Sequence, residues 1–409
     1  MPTNNELKTT CGSDLDRFIQ KLSEETNFNQ CVGLMKQIEQ HSVYLSVPQL
    51  LSLSNVIDED SLGLFNRTWG SLSFALMIKS KLQKPIGEVA GFPIASIIDT
   101  MEAIGSGNSG RVLTASISHN SKIETVAIKF LSIYLDPLAS SSLESSESQS
   151  EEQQDEHLEE LLILSKLKNS PYCVNVKCIT IGSDRRIGLG MTRYCMDLHS
   201  FLLQNCLSLH QSLILFKRCV KCIEALHNYG ANGIIHHNIK DTNFLIGQPN
   251  TDNNDMDAMI ASVVIADFGF AKARMRETKQ HMSGFYSSVG GAAAKMLMYA
   301  APEVKECFRN GGEMVYTKSS DIYSLGVLLG FIYTKQRPYN LTTEFQILSS
   351  SLPPFHYCRD AVEQHSLVKK LFDWCTSHSA NERPMNCQQI LEVLESDEPQ
   401  KVLQENIWY

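Results

Sequence analysis

Residues 105–112 read G-S-G-N-S-G-R-V, a glycine-rich segment of the form G-x-G-x-x-G-x-V. Two structures are compatible with this pattern. In a dinucleotide-binding fold the glycines lead from a strand into a helix. Here the strand-like residues 112–117 follow, which favours a glycine hairpin whose backbone amides can approach phosphate oxygens closely. The segment therefore predicts a phosphate-binding turn between two strands.

A second strand pattern supplies a lysine. Residues 126–129 read V-A-I-K, and a lysine in a buried strand requires an acidic partner because an unpaired buried charge is costly. Glu160, in the helical pattern of residues 158–168, is the predicted partner. Glu159 is the alternative if the helix register is shifted by one residue.

Three further motifs follow in order along the chain. Residues 236–243 read H-H-N-I-K-D-T-N, residues 267–269 read D-F-G after a strand-like run, and residues 301–303 read A-P-E. Together with the glycine-rich segment and the strand lysine, these motifs resemble the signature set of the protein kinase family. The resemblance covers residues 99–396.

The resemblance implies an α+β, bilobal protein-kinase fold. Its small β-rich N-lobe is expected at residues 99–191 and its large helical C-lobe at residues 196–396. Apolar residues spaced three and four apart also predict an all-helical N-terminal extension at residues 13–83. Nothing in that extension carries chemistry, so it is either a packing extension or an interaction module.

The remaining segments are predicted to lie outside the folded domain. Residues 1–12 are polar, and the Ser/Glu-rich insertion at 138–157 has too few apolar side chains to order itself, so both are expected to be disordered. Residues 397–409 form a C-terminal tail. The polar residues 247–262 are predicted to be a solvated loop that enlarges the turn before D-F-G.

By resemblance, ATP and Mg²⁺ are the implied cofactors. Asn243 and Asp267 match the family's metal ligands, and Met191 is assigned as the gatekeeper before a hinge at residues 192–195. The nucleotide-binding positions implied by the family pattern are Gly105, Gly107, Gly110, Val112, Ala127, Lys129, Glu160, Met191 and Leu245.

Other matches indicate the subgroup and the framework. Lys240 is typical of Ser/Thr kinases, and residues 371–384 resemble those of the tyrosine-kinase-like group of Ser/Thr kinases. The family pattern also implies that Asp321 braces the catalytic loop and that Arg383 forms a salt bridge with Glu303.

The family pattern is broken at three positions on the substrate side. Asn238 replaces the catalytic aspartate that accepts the proton of the substrate hydroxyl, a role worth about 10²–10⁴ in rate. His237 replaces the arginine that grips a phosphorylated activation loop, and Met296 replaces a threonine that hydrogen-bonds the catalytic aspartate. Asn238 and Lys240 are the candidate catalytic residues, and the pattern is typical of a pseudokinase.

Three functions follow from this pattern. The first is an ATP- and Mg²⁺-binding signalling protein, a scaffold or allosteric switch, in which phosphoryl transfer to Ser/Thr is weak or absent. The second is an active Ser/Thr kinase with an atypical H-H-N catalytic loop. The third is a partner-binding protein that acts through residues 13–83.

Composition restricts the partners. The net charge of −9 argues against nucleic acid, which requires a basic face. No apolar run reaches the ~18 residues of a membrane span. Cys219 and Cys222 are expected to be core thiols, and the scattered cysteines are typical of a reducing compartment. We therefore expect a cytoplasmic protein, with a nuclear location left open, whose partners are ATP and a protein partner or substrate.

Overall fold

The structure is a computed structural model. It describes residues 88–89, 92–93, 95–107, 110–119, 122–134, 160–161, 163–181, 186–230, 233–247, 255–269, 271, 296–310, 316–340, 347 and 352–396. Four predicted segments lie outside the described residues, namely residues 1–12, 13–83, 138–157 and 397–409.

The described residues form two compact units. The first comprises the residues up to Lys168 together with Val176–Met191, and the second comprises Asn169–Asn175 and the residues from Thr192 onward. The first unit is built on a β-sheet and the second is mainly helical. This confirms the expected order of a β-rich part followed by a helical part.

The first unit contains an antiparallel five-stranded sheet in the order β3-β4-β5-β7-β6. A two-stranded hairpin, β1 with β2, precedes it. The strands of this unit are β1 (Glu88–Val89), β2 (Phe92–Pro93), β3 (Ser96–Gly107), β4 (Gly110–His119), β5 (Lys122–Tyr134), β6 (Val176–Ile181) and β7 (Arg186–Met191). The helix α1 is described at residues 160–161 and 163–166.

One face of the sheet encloses an apolar core. Val126, Ile128 and Cys178 are buried in it, and the neighbouring strand β7 contributes glycines at alternate positions. A Cβ added at Gly188 would lie 2.5 Å from Thr180 Oγ1, and one added at Gly190 would lie 2.4 Å from Cys178 Sγ. Strand β7 therefore lacks side chains where β6 supplies them, which lets the two strands pair without overfilling the core.

The second unit combines a small antiparallel sheet, in the order β10-β9-β8, with helices. Its strands are β8 (Met196–Asp197), β9 (Phe244–Ile246) and β10 (Val264–Ile265). Its helices are α2 (Leu198–Gln204), α3 (Leu209–His227), α4 (Met256–Ala261), α5 (Pro302–Asn310), α6 (Lys318–Thr334), α7 (Arg359–Glu363), α8 (Ser366–Cys375) and α9 (Cys387–Glu395).

Helix α6 forms the centre of the second unit. Its residues are buried on all sides from Ser320 to Ile332, as expected for a helix packed by others rather than facing water. Thr317 starts it with a capping box in which Ser320 is the reciprocal partner. Asp321 lies in its first turn, where a carboxylate is stabilised by the helix dipole.

The segment Asn169–Asn175 groups with the second unit, although it falls within the range predicted for the N-lobe. Backbone hydrogen bonds explain this. The Val174 amide donates to the Ile265 carbonyl at 2.9 Å, and the Ile265 amide donates to the Tyr172 carbonyl at 2.9 Å. These bonds attach the segment to β10, the strand that precedes D-F-G.

The prediction of an unbroken polar loop at residues 247–262 is wrong, because Met256–Ala261 form helix α4. The carboxylate of Asp255 caps the helix by accepting from the amides of Asp257 and Ala258. Met259 and Ile260 are buried, so the short helix is stabilised by packing as well as by its cap.

The expected core thiols of α3 are confirmed. Cys219 and Cys222 are buried, and burial raises the pKa of both thiols. Among the described helices, none is long and apolar enough to cross a bilayer.

Candidate functional site

The first unit carries a buried ion pair. Lys129 Nζ lies 2.5 Å from Glu160 Oε1, and the two residues are 6% and 2% exposed. Strand β5 supplies the lysine and helix α1 the carboxylate. Glu160 is thus the observed partner, and the alternative residue, Glu159, lies outside the described residues. Charges desolvated to this extent depend on each other, because removal of either leaves the other uncompensated.

The strand register places other predicted nucleotide-binding positions next to Lys129. Val112 on β4 is paired directly with Lys129, and Ala127, two residues earlier on the same face of β5, is paired with Met191 on β7. An alkyl or aromatic ligand surface would therefore meet Val112, Ala127 and Met191, while the ammonium group of Lys129 would meet an anion.

The glycine-rich segment is a hairpin, as its sequence predicts. Gly105 pairs with Val112 and Gly107 pairs with Gly110, so the glycines lie at the end of β3 and the start of β4. No helix follows them, which excludes the dinucleotide-binding arrangement. The turn residues 108–109 lie outside the described residues.

The second unit holds the segment 236–243 by a buried carboxylate. Asp321 accepts hydrogen bonds from the amide of His236 at 2.8 Å, the amide of His237 at 3.0 Å and His227 Nε2 at 3.0 Å. Burial is the largest single effect and would raise the pKa of Asp321, but the hydrogen bond from His227 and the electrostatic effects of His227, His237 and His236 together outweigh it, and the pKa is lowered. The expected bracing role of Asp321 is therefore present in the geometry.

His236 links this segment to D-F-G. Its Nε2–H donates to the Ala266 carbonyl at 3.1 Å, and its ring packs edge-on against Phe268 with centroids 5.3 Å apart. Its Nδ1 accepts the amide of Asn238 at 3.3 Å. Burial lowers the pKa of His236, which favours the neutral ring that this donor and acceptor pattern requires.

The predicted metal ligands are connected through the backbone. The Ala266 amide donates to the Asn243 carbonyl at 2.8 Å, which fixes the residue before Asp267. Asn243 donates its Nδ2 to the Asn238 carbonyl at 2.7 Å, and so its Oδ1 is the side-chain atom able to ligate a cation. Asp267 has a φ of +62°, a left-handed conformation that aspartate tolerates better than most residues.

These donors fit Mg²⁺ bound together with phosphates. Mg²⁺ is held in proteins by one or two carboxylates and substrate phosphates rather than by a full protein cage. Asp267 supplies one carboxylate and Asn243 one amide oxygen. Within the part of the chain that the structure describes, no group of three or more His, Cys, Asp or Glu side chains is arranged to hold a metal.

Asn238 lies beside Asp267. It is 4% exposed, and its Nδ2 is 3.5 Å from Asp267 Oδ2, at the outer limit of a hydrogen bond. Its Oδ1 is buried and has no hydrogen-bond partner among the described residues. The amide therefore presents its donor to a carboxylate and keeps an acceptor available, but it has no basicity with which to take up a proton.

His237 is held in an aromatic stack. Its ring lies parallel to that of Tyr316 at 4.1 Å between centroids, and its φ is +66°. Histidine is among the residues that adopt this left-handed conformation more readily. Met296, the other departure from the family pattern, is buried. It lies five residues before the A-P-E motif in the sequence. The stack covers one face of the imidazole that replaces the family's arginine.

The remaining predicted residues are placed by the same elements. Lys240 is half-buried and precedes the 3-10 turn Asp241–Asn243, and Leu245 is half-buried on β9, paired with Asp197 and Val264. Arg383 is paired with Glu303 through two contacts of 2.7 Å. This bidentate pair anchors the A-P-E motif, as the family pattern implies.

One contact of the catalytic loop escapes sequence reasoning. His199 Nδ1 lies 2.6 Å from Asp241 Oδ2, and the His199 ring stacks on Phe331 of α6 at 5.4 Å. Asp241 also raises the pKa of Tyr299, after the larger effect of burial. Asp241 thus interacts both with His199 of helix α2 and with Tyr299, which lies two residues before the A-P-E motif. The only sequence signal is an acidic residue within the motif, because its partners are distant along the chain.

Comparisons with known proteins agree with this arrangement. A protein kinase domain family model matches residues 98–394. The chain is 25% identical over 288 residues to the serine/threonine-protein kinase TIO of Arabidopsis thaliana, a match that covers 69% of this chain and 18% of that protein. It is 32% identical over 197 residues to a probable serine/threonine-protein kinase of Dictyostelium discoideum, covering 44% of this chain and 9% of the relative.

A shorter match is to human mitogen-activated protein kinase kinase kinase 10, which is 32% identical over 114 residues, or 28% of this chain and 10% of that protein. The chain spans less than a fifth of the length of each of these relatives. The family model covers well over half of the chain, and it matches the residues that carry the site. The chain therefore belongs to the protein kinase family.

Proposed function

We propose that this protein binds ATP and Mg²⁺ and transfers phosphate to Ser/Thr weakly or not at all, acting as a signalling scaffold or allosteric switch. One observation carries the proposal. The nucleotide-binding ion pair of Lys129 and Glu160 is intact, whereas the side chain beside Asp267 at the catalytic position is an amide, that of Asn238.

Each group has a distinct chemical task. Lys129, held by Glu160, is suited to the phosphate oxygens of the nucleotide. Asn243 and Asp267 would hold Mg²⁺, which supplies charge neutralisation between the phosphates when bound. Asn238 can accept a hydrogen bond from a substrate hydroxyl through Oδ1, which is buried and unpartnered among the described residues. It cannot remove the proton, at a cost of about 3–5 kcal/mol in the barrier.

The buried Asn238 Oδ1 also favours a second function, that of an active Ser/Thr kinase with an H-H-N loop. Positioning and charge stabilisation supply most of the catalysis in phosphoryl transfer. A hydroxyl oriented by Asn238, with Lys240 close by in sequence, would retain part of that contribution. Two of the relatives named above, those of Arabidopsis thaliana and Dictyostelium discoideum, are described as Ser/Thr kinases, which is consistent with this alternative.

A transfer assay separates the two functions. The purified chain is incubated with radiolabelled ATP, Mg²⁺ and generic Ser/Thr substrates, beside Lys129→Met as the control for contaminating kinases. The first function predicts little or no label beyond that in Lys129→Met, and at least about tenfold more in Asn238→Asp, since a general base is restored. Transfer by the wild-type chain that Lys129→Met abolishes and that Asn238→Asp does not increase would contradict the first function and support the second.

The third function, partner binding through residues 13–83, remains a proposal on sequence grounds alone. It predicts that an interaction with a protein partner survives Lys129→Met/Glu160→Gln, which leaves no buried charge alone, and is lost on deletion of residues 13–83. Loss of the interaction in a folded Lys129→Met/Glu160→Gln would instead assign the partner to the kinase domain.

A further inference from the structure

We infer that Arg218 of helix α3 is a positioning residue for Asp267, because it holds both the start and one edge of β10, the strand that leads to Asp267. The inference rests on the proposed binding of ATP and Mg²⁺, and it adds a residue that touches neither ligand. It predicts that Arg218 controls how much Mg²⁺ contributes to nucleotide affinity, while the contribution of Lys129 is left unchanged.

The Arg218 side chain joins two segments of the second unit. Its Nε donates to the carbonyl of Val263, the residue before β10, at 2.9 Å. Its Nη2 donates to the Pro171 carbonyl at 2.6 Å, and its guanidinium carbon lies 4.5 Å from the centroid of the Tyr172 ring. A lysine could not reproduce this arrangement, because only the flat guanidinium has several donors in fixed directions and stacks on aromatic rings.

The segment 169–175 covers one edge of β10, and β9 pairs with the other edge. The Ile265 amide donates to the Tyr172 carbonyl and the Val174 amide donates to the Ile265 carbonyl, both at 2.9 Å. The far end of the segment is held by the Thr192 amide, which donates to the Asn175 carbonyl at 2.9 Å. Arg218 holds the near end, and it therefore supports the edge of β10 through the segment as well as the start of the strand directly.

Asp267 has a backbone conformation that needs such support. Its φ is +62°, and a residue other than glycine stays in the left-handed region only where the surrounding structure fixes it. Strand β10 is two residues long, so its own ladder supplies few hydrogen bonds. Ala266 is fixed on the side of the catalytic loop by its two backbone hydrogen bonds. The contacts of Arg218 fix the other end and the other edge of this short strand.

Nucleotide affinity with and without metal tests this role. ATP is titrated calorimetrically into the full chain in excess Mg²⁺ and in EDTA. Residues that orient a metal ligand change metal affinity about 10–100-fold, so Arg218→Met should weaken binding at least about tenfold in Mg²⁺ and less than about twofold in EDTA. Arg218→Lys should lie between Arg218→Met and the wild type. Lys217→Met removes a charge from the next position of α3, where the lysine pairs with Glu395, and should match the wild type.

A second measurement needs no nucleotide. In the unliganded chain, hydrogen exchange at the Ile265 amide should be faster in Arg218→Met than in Lys217→Met or the wild type, because the carbonyl that accepts this amide belongs to the segment that Arg218 holds. Urea denaturation of each variant establishes that the compared chains are folded, and Arg218→Lys replaces Arg218→Met if the latter is not.

Three outcomes would each overturn the inference while leaving the proposed nucleotide binding intact. They are unchanged exchange at Ile265, unchanged affinity for ATP in Mg²⁺, and an equal loss of affinity with and without the metal. The last would mean that Arg218 supports the fold in general and does not act through Asp267. Absence of ATP binding by the wild type in Mg²⁺ would instead remove the proposed function, and this inference with it.

Discussion

Buried ionisable side chains in this protein differ in how their charge is compensated. Asp321 accepts three hydrogen bonds, and Lys129 has the carboxylate of Glu160 at 2.5 Å. Lys305 on α5 is also buried, but its hydrogen bond is to a neutral group, the hydroxyl of Tyr339 at 2.8 Å, whose ring lies 4.6 Å from Nζ. Burial lowers the pKa of Lys305 from 10.5 to about 7.

The direction of this pKa shift determines how stability depends on pH. Above pH 10.5 the lysine is neutral in both states and burial carries no charge penalty. As pH falls toward 7, only the unfolded chain binds the proton, so the folded state loses relative stability throughout that interval. Below about pH 7 both states are protonated and the difference is constant.

Lys305→Met should therefore stabilise the protein at pH 7 by about 1–4 kcal/mol, with the gain shrinking toward pH 10. Urea denaturation at pH 6.5, 8 and 9.5 measures the difference from the wild type. Lys166→Met, a change at an exposed lysine of α1, should show no such trend. A gain that does not depend on pH would mean that methionine packs better and that charge burial is not the cause.

At the same scale, sequence reasoning succeeds where a residue's role follows from a short motif. Lys129, Asn243 and Asp267 are recognised from three or four neighbours each, and the Lys129–Glu160 pair follows from the need of a buried lysine for an acid. The contact of His199 with Asp241 could not be found this way, because His199 belongs to no motif and no family pattern pairs it with Asp241 across the 42 residues between them. Such pairs are brought together by packing, which no local period encodes.

At the scale of elements, the close packing of β6 and β7 depends on a missing side chain. Gly190 on β7 faces Cys178 on β6, and an added Cβ would lie 2.4 Å from the sulfur and 3.4 Å from the Cys178 carbonyl. Both strands are buried here, so neither can move away without disturbing the core around Val126. Gly190 is therefore required because Cys178 occupies the space of a Cβ atom, and its backbone conformation does not itself call for glycine.

Gly190→Ala should consequently destabilise the protein by about 1–3 kcal/mol through overpacking. Cys178→Ala on its own opens a small space, and the double variant Gly190→Ala/Cys178→Ala should recover much of the lost stability. The measurement is a double-mutant cycle of unfolding free energies. Additive costs in the double variant would show that the two positions do not compete for the same volume.

Helix α4 shows where element prediction fails. Residues 247–262 contain many Asn and Asp residues, which are typical of turns, and their composition predicts a loop. The helix forms because Asp255 caps it and because Met259 and Ile260 pack into the second unit. The burial of these two side chains outweighs the preference of the Asn- and Asp-rich segment for turns. The helix also could not be recognised from its hydrophobic periodicity, because six residues are too few to show the 3.6-residue repeat.

On the scale of the whole molecule, the order of motifs predicts the order of units. A β-sheet with Lys129 precedes a helical part with Asp267, and the family match spans both. The motifs do not predict how the substituted residues Asn238 and His237 are arranged in the folded protein. The orientation of the Asn238 amide and the stacking of His237 on Tyr316 depend on atoms that only the folded chain brings together.

Ligand binding should stabilise the whole chain, because a ligand that binds only the folded state adds about 2.7 kcal/mol at a concentration 100 times its Kd. ATP with Mg²⁺ should raise the Tm of the wild type by several degrees. Lys129→Met/Glu160→Gln removes both charges of the buried pair without leaving one alone, and should abolish the rise whatever its own Tm. Lys177→Met/Glu124→Gln neutralises an exposed pair of the same sheet and should retain the rise. Equal shifts in the two double variants would place the nucleotide away from Lys129, because the exposed pair has no predicted part in binding.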